Sequence, residues 1–122
     1  MNRTAEPSKR VNRRLRELAA RAHQEALGRE LSKLQESFHA WQAGKLSALD
    51  LNEEIHRFHD GPSRKLYVHY TSKLYEFIIA RAIIQGLLSE SSLPEEVRIH
   101  LAPAIARERE ALEQAHGPES AV

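Results

Sequence analysis

The sequence predicts an all-α fold: a four-helix, bundle-like domain with a long N-terminal helix, completed by dimerisation. Three observations carry this. β-branched residues do not cluster, and no alternating run lies between turn pairs, so strand signals are missing. Apolar residues recur at helical spacing through most of the chain. Residues that start and stop helices fall at helix-length intervals, at Ser8, Gly44, Ser47, Gly61–Pro62, Gly86 and Ser92–Pro94.

The first helix is expected from Pro7–Ser8 to Ala43, with Gly44 as its left-handed stop. At the rise of an α-helix it would be about 54 Å long, more than a domain of this size needs. The second begins at Ser47, which with Asp50 approximates a capping box, and Leu46 can pack on Leu51 as a staple. It should end by Asp60–Gly61, because Pro62 suits the first turn of a new helix. The third is then expected from Pro62 to Gln85, stopped by Gly86. A second box, Ser92 with Glu95 and Pro94 in the first turn, opens a fourth helix toward Ala115, which Pro103 should bend or break. The whole reads as one helical domain over residues 1–122, with 1–7 and 116–122 frayed.

Helical wheels add a second layer. Leu27, Leu31, Leu34, Phe38 and Trp41 form one stripe of the first helix, while Val11, Leu15, Leu18 and Ala22 form another on nearly the opposite side. The first of these is expected to face the chain's own bundle, the second the fourth helix or another subunit. In the third helix Leu66, Tyr70, Leu74, Phe77, Ile84 and Leu88 form the expected core stripe. Val68, Tyr75, Ile79 and Ala82, with Ile83 beside them, form an opposite face for self-association, most simply as a symmetric dimer.

Composition narrows the function classes. With 122 residues, 41% hydrophobic and 29% charged, the chain is an ordinary folded domain rather than a disordered one. Phe77–Leu88, the longest apolar stretch, is interrupted by Arg81 and Gln85, and a spanning helix needs about 20 apolar residues, so no membrane association is expected. There is no cysteine, which removes disulfides and thiolate metal sites. The expected location is cytoplasmic. Net charge is only +1, although Arg3, Lys9, Arg10, Arg13, Arg14 and Arg16 stand against Glu6 alone before Glu17. That arm lacks interleaved aromatics and any reading motif, so it is a solvated helix start rather than a nucleic-acid site.

The most chemically loaded segment is Leu51–Tyr70, LNEEIHRFHDGPSRKLYVHY. His56 and His59 are three apart, and Glu53, Asp60 or His69 could complete a metal site. The wheel opposes that: Leu51, Ile55 and Phe58 define the buried stripe, His59 sits at its edge and His56 points to solvent. No metal and no cofactor is expected. Arg81 falls within the apolar stripe of the third helix and Glu108 beside Val97, Leu101 and Leu112, so a structural Arg81–Glu108 pair is expected. Nucleophile elbows, glycine-rich phosphate loops and nucleotide fingerprints are absent; His59, Asp60 and Ser63 are local capping chemistry.

These features point to a non-enzymatic interaction or scaffolding protein that binds another macromolecule, with a second copy and an unidentified protein as its expected partners. The alternative is a helical enzyme or small-ligand binder whose pocket, between the second and third helices, is lined by His59, Arg64, Tyr70 and Arg81, and a third option is a nucleic-acid accessory protein that uses the basic arm.

Overall fold

A 34-residue helix, α1 (Lys9–Gln42), opens the chain in the computed structural model, which describes residues 8–120 and their side chains to residue 115. Ser8 caps it: its hydroxyl accepts from the Val11 N–H at 3.1 Å and its carbonyl from Asn12 at 2.9 Å. Gly44 stops it with φ +76°, the Gly44 N–H reaching Trp41 and the Lys45 N–H reaching Ala40. That paired closure needs a residue that tolerates the left-handed region.

Ser47 caps α2 (Ala48–Phe58), accepting from the Asp50 N–H at 3.0 Å, and Leu51 is buried behind the cap. The expected stop at Gly61–Pro62 does not occur. The chain passes through a π-helical turn, His59–Ser63, directly into α3 (Arg64–Tyr70). Proline lacks the N–H for an i→i−4 bond and its ring crowds the preceding turn; a locally widened helix relieves both.

The break falls instead within the helix expected over 62–85. Thr71 Oγ1 donates back to the Tyr67 carbonyl at 2.6 Å and Ser72 Oγ to that of His69 at 2.9 Å. Hydroxyls that cap carbonyls in this way compete with helix propagation. Lys73 then takes φ +69°, which interrupts the helical backbone before α4 (Tyr75–Ile84). Gly86, at φ +80°, closes α4 as Gly44 closes α1, with Leu87 N–H to Ala82 and Gly86 N–H to Ile83.

A 3-10 turn, Glu90–Ser92, precedes α5 (Glu95–Ser120). The second capping box is not formed: Ser92 Oγ turns back to the Ser89 carbonyl, the Pro94 carbonyl accepts from Arg98, and Glu95 pairs with Arg98. Pro103 does not divide α5. It is exposed and so is Ile99, whose carbonyl loses its partner on a face open to water. The helical backbone also continues past Ala115 to Ser120, within the segment expected to fray; residues 1–7 lie outside the described residues.

With α2, the π turn and α3 counted as one run, the described residues form four helices and no strand. None of these helices is long and apolar enough to cross a membrane. The chain falls into two compact units, one of the residues up to Ala22 with those from Lys73 onward, the other His23–Ser72. In the first, α4 packs on α5, and Ile78, Ile79, Ala82 and Ile83 are buried, as are Val97, Leu101, Ala104 and Ile105. Val11, Leu15, Leu18, Ala19 and Ala22 of α1 are buried too. In the second unit only Leu51 and Tyr70 are buried.

Two face assignments are thereby corrected. Ile79, Ala82 and Ile83, expected on a surface for self-association, are core, while Leu74 and Phe77 of the expected core stripe are exposed. In α1 Leu31, Phe38 and Trp41, expected to face the chain's own bundle, are exposed, while the N-terminal stripe, for which the fourth helix is one expected cover, is buried in the unit that holds α5. Where a helix is apolar nearly all round, periodicity names two faces and only the neighbours choose between them.

Candidate functional site

The four residues singled out from the sequence are held in different ways. In the His23–Ser72 unit, His59 is exposed on the π turn, its Nδ1 3.3 Å from Asp60 Oδ1. Arg64, at the start of α3, is exposed as well. Tyr70 is buried between two rings, with His23 stacked on it at 5.0 Å and 9° and His69 edge-on at 4.7 Å and 88°. Burial pushes the Tyr70 phenol above its ordinary range, because the phenolate would lose its water. So Tyr70 is a ring-packing residue of this unit, and neither of its ring partners was distinguished by sequence spacing. His23 lies 47 positions before it, and no local pattern marks so distant a pair.

Arg81 belongs to the other unit, on α4. It is not in the core. Its side chain is 49% exposed, its Nε stands 3.7 Å from Glu108 Oε1, and its guanidinium lies 5.2 Å over the Phe77 ring. The pair with Glu108 therefore exists, but at the edge of the core rather than inside it. The same side of α4 and α5 holds a tighter contact that no motif announced. His100 Nε2 lies 2.8 Å from Glu76 Oε2. A carboxylate accepts only, so Nε2 is the protonated nitrogen in this contact. Burial alone would raise the Glu76 carboxyl, but the His100 hydrogen bond and charge outweigh it and hold the group below its ordinary range.

Among the described residues no group of three or more His, Asp and Glu side chains is placed to hold a metal ion; His56 and His59 are both exposed on the second run. One open groove of the His23–Ser72 unit, about 310 Å³, runs between α1 and the second run. Its floor is apolar, made by Leu34, Phe58 and Pro62. Its walls are charged, with Lys33 paired to Glu30 and Ser37 bonded to Glu54. Nothing in it aligns a nucleophile with a base, and its open form is that of a helix–helix furrow rather than an enclosed pocket.

What does distinguish this unit is the balance of its apolar side chains: Leu31, Phe38, Trp41, Leu49, Tyr67 and Val68 are exposed against Leu51 and Tyr70 buried, whereas the other unit exposes Leu74, Phe77, Ile99 and Leu112 over a much larger buried core. In comparisons with known proteins, the chain matches no family model, no curated protein and no solved structure.

Proposed function

We propose that the chain is a non-enzymatic helical interaction protein that binds another macromolecule, and that it works as a homodimer in which a second copy completes the helical bundle. One observation carries this reading: the His23–Ser72 unit buries two large side chains and leaves six exposed. Single apolar residues on a surface need no explanation, but a run of them on one short unit marks a place where another surface belongs. The polar side chains support the same reading, since His59 and Arg64 are exposed and Tyr70 is occupied by ring packing. Light scattering with size-exclusion chromatography tests it. At high micromolar concentration the mass should approach twice the 13.9 kDa protomer. A protomer mass at every concentration would overturn the proposal.

A further inference from the structure

We infer that the surface of association is the C-terminal half of α1, a helical seam on Leu27, Leu31, Leu34, Phe38 and Trp41, and that its occupant is the same seam of a second copy. This rests on the self-association reading above and names its surface.

The spacing is the first argument. The five residues alternate steps of four and three, an average of 3.5 per turn. That is the heptad repeat, in which a narrow two-position stripe stays in register with a partner helix that supercoils around it. A stripe facing a globular core is wider, with a third apolar position per heptad. Here the positions beside the seam are Gly28, Gln35 and Gln42 on one flank and His23, Glu30 and Ser37 on the other. A knob-and-hole surface of this kind calls for another helix with the same repeat, and α1 of a second copy supplies one.

Charge is the second argument. Flanking positions select partners by complementary charge, and a seam made for a different chain is expected to carry a charged flank. The Glu30 side of the seam is already engaged within the unit, through Lys33–Glu30 and Ser37–Glu54. The other flank is glycine and glutamine, so two identical copies meet without repulsion. Gly28 fits this use. It lies mid-helix, and a Cβ there would meet nothing within 4 Å. A glycine in that place lets a facing backbone come close.

Area sets the strength. Leu31 is 46% exposed, Phe38 37% and Trp41 42%. Taking about 150–250 Å² for a whole large side chain, their open parts amount to roughly 250 Å² per copy. Two copies give about 500 Å² of apolar surface, and since a little over half of such an interface is apolar, the total is about 900 Å². That places the dimer at the weak, exchanging end of interfaces.

Sedimentation velocity from low micromolar to near-millimolar concentration, followed also by emission of the single tryptophan, Trp41, provides the test. Wild type should dimerise with a blue shift of Trp41. Leu31→Gln/Phe38→Gln should weaken the dimer by about tenfold or more, as expected for residues near the centre of an interface. Leu49→Gln/Val68→Gln, exposed in the same unit but off the seam, should leave it as in wild type. Gly28→Glu guards against a fold defect: it should strengthen the helix and still weaken association. A wild-type dimer that survives both seam variants, or that the control weakens equally, overturns the seam while self-association stands. A wild type that never dimerises overturns both.

Discussion

Replacing Arg81 by methionine asks how a charge inside an apolar run is kept. Arg81 Nε is 3.7 Å from Glu108 Oε1, beyond hydrogen-bond length, so the attraction is Coulombic. At such a distance two charges attract by about 1 kcal/mol in water and about 4 kcal/mol near a protein surface, before side-chain ordering and desolvation are subtracted. With Arg81 half exposed and Glu108 at 21%, the net is expected near the upper end of surface pairs, about 1 kcal/mol or less. The guanidinium over Phe77 adds about 0.5–1 kcal/mol. Methionine keeps the apolar stem and offers sulfur to the same ring, recovering part of that contact. Arg81→Met should therefore cost about 0.5–1.5 kcal/mol. Glu108→Gln should cost less, and the double variant should differ from the sum of the two by under about 1 kcal/mol. For a chain of this size each kcal/mol moves Tm by roughly 3–6 °C. Urea and thermal melts of wild type, the two single variants and the double variant, followed by circular dichroism, measure all four corners. A single-variant loss of about 3 kcal/mol or more would refute the edge-of-core reading, since only a buried, orphaned charge costs so much. An Arg81→Met more stable than wild type would refute bracing altogether.

Two further predictions follow from local geometry, beside the two association experiments above. Because the Glu76 carboxyl is held below its ordinary range in the folded state, the His100–Glu76 contact contributes stability above the ordinary carboxylate range and loses it as pH falls through the lowered value. Glu76→Gln should thus be less stable than wild type at neutral pH, by under about 1 kcal/mol for a half-exposed pair, with the gap closing in acid; a pH-independent gap in urea midpoints would contradict it. Pro62→Ala restores a backbone donor inside the run from Ala48 to Tyr70 and should stabilise it by about 1–3 kcal/mol, less whatever entropy the unfolded chain regains. Loss of stability in the alanine variant would mean the π turn is set by something other than the proline.

The helix boundaries that were legible in the sequence are those decided by one residue's own chemistry. Gly44 and Gly86 each supply a positive φ, and Ser8 and Ser47 each supply an oxygen to a free N–H. Such events need no tertiary partner, so spacing alone locates them. The break at Thr71–Leu74 was readable in principle, since Thr-Ser can turn its hydroxyls onto the preceding carbonyls, but the apolar periodicity running through it favoured a continuous helix. Pro62 failed the other way: a strong stop signal was absorbed by a π turn. The faces were the least legible. Ile79 and Ile83 look like Leu74 and Phe77 to any hydropathy scale, and only packing against α5 buries the first pair. The candidate polar residues followed suit, because Arg81 was placed in the core by the stripe around it, and its nearest members there, Leu74 and Phe77, are exposed.

The two units differ in what holds them, and the difference bears on binding. Around α5, ion pairs reach across the sequence: Arg10 to Glu96, Glu76 to His100, Arg81 to Glu108 and Glu90 to Arg109. Beneath them lie Leu15, Ile78, Ile79, Val97, Leu101 and Ile105, all fully buried. In the other unit a Ser37–Glu54 hydrogen bond and the His23–Tyr70 stack cross helices, with more local pairs at Lys33–Glu30 and His59–Asp60. A segment with few buried apolar side chains opens at lower free energy, which is where binding surfaces are commonly found. Yet a seam on a loosely held helix would lose affinity to the ordering of that helix. α1 meets this difficulty by its length. One face of its first turns, Val11, Leu15, Leu18, Ala19 and Ala22, is buried, so the costly nucleus of the helix is held by the core. The seam turns, Leu27 to Trp41, then need only propagate from it, one hydrogen bond for each residue fixed, with Gly28 as the weakest link, about 1 kcal/mol less favourable than alanine. The C-terminal half of α1 is in this way already a helix before any partner arrives, and the length beyond the buried turns is the length that carries the proposed seam.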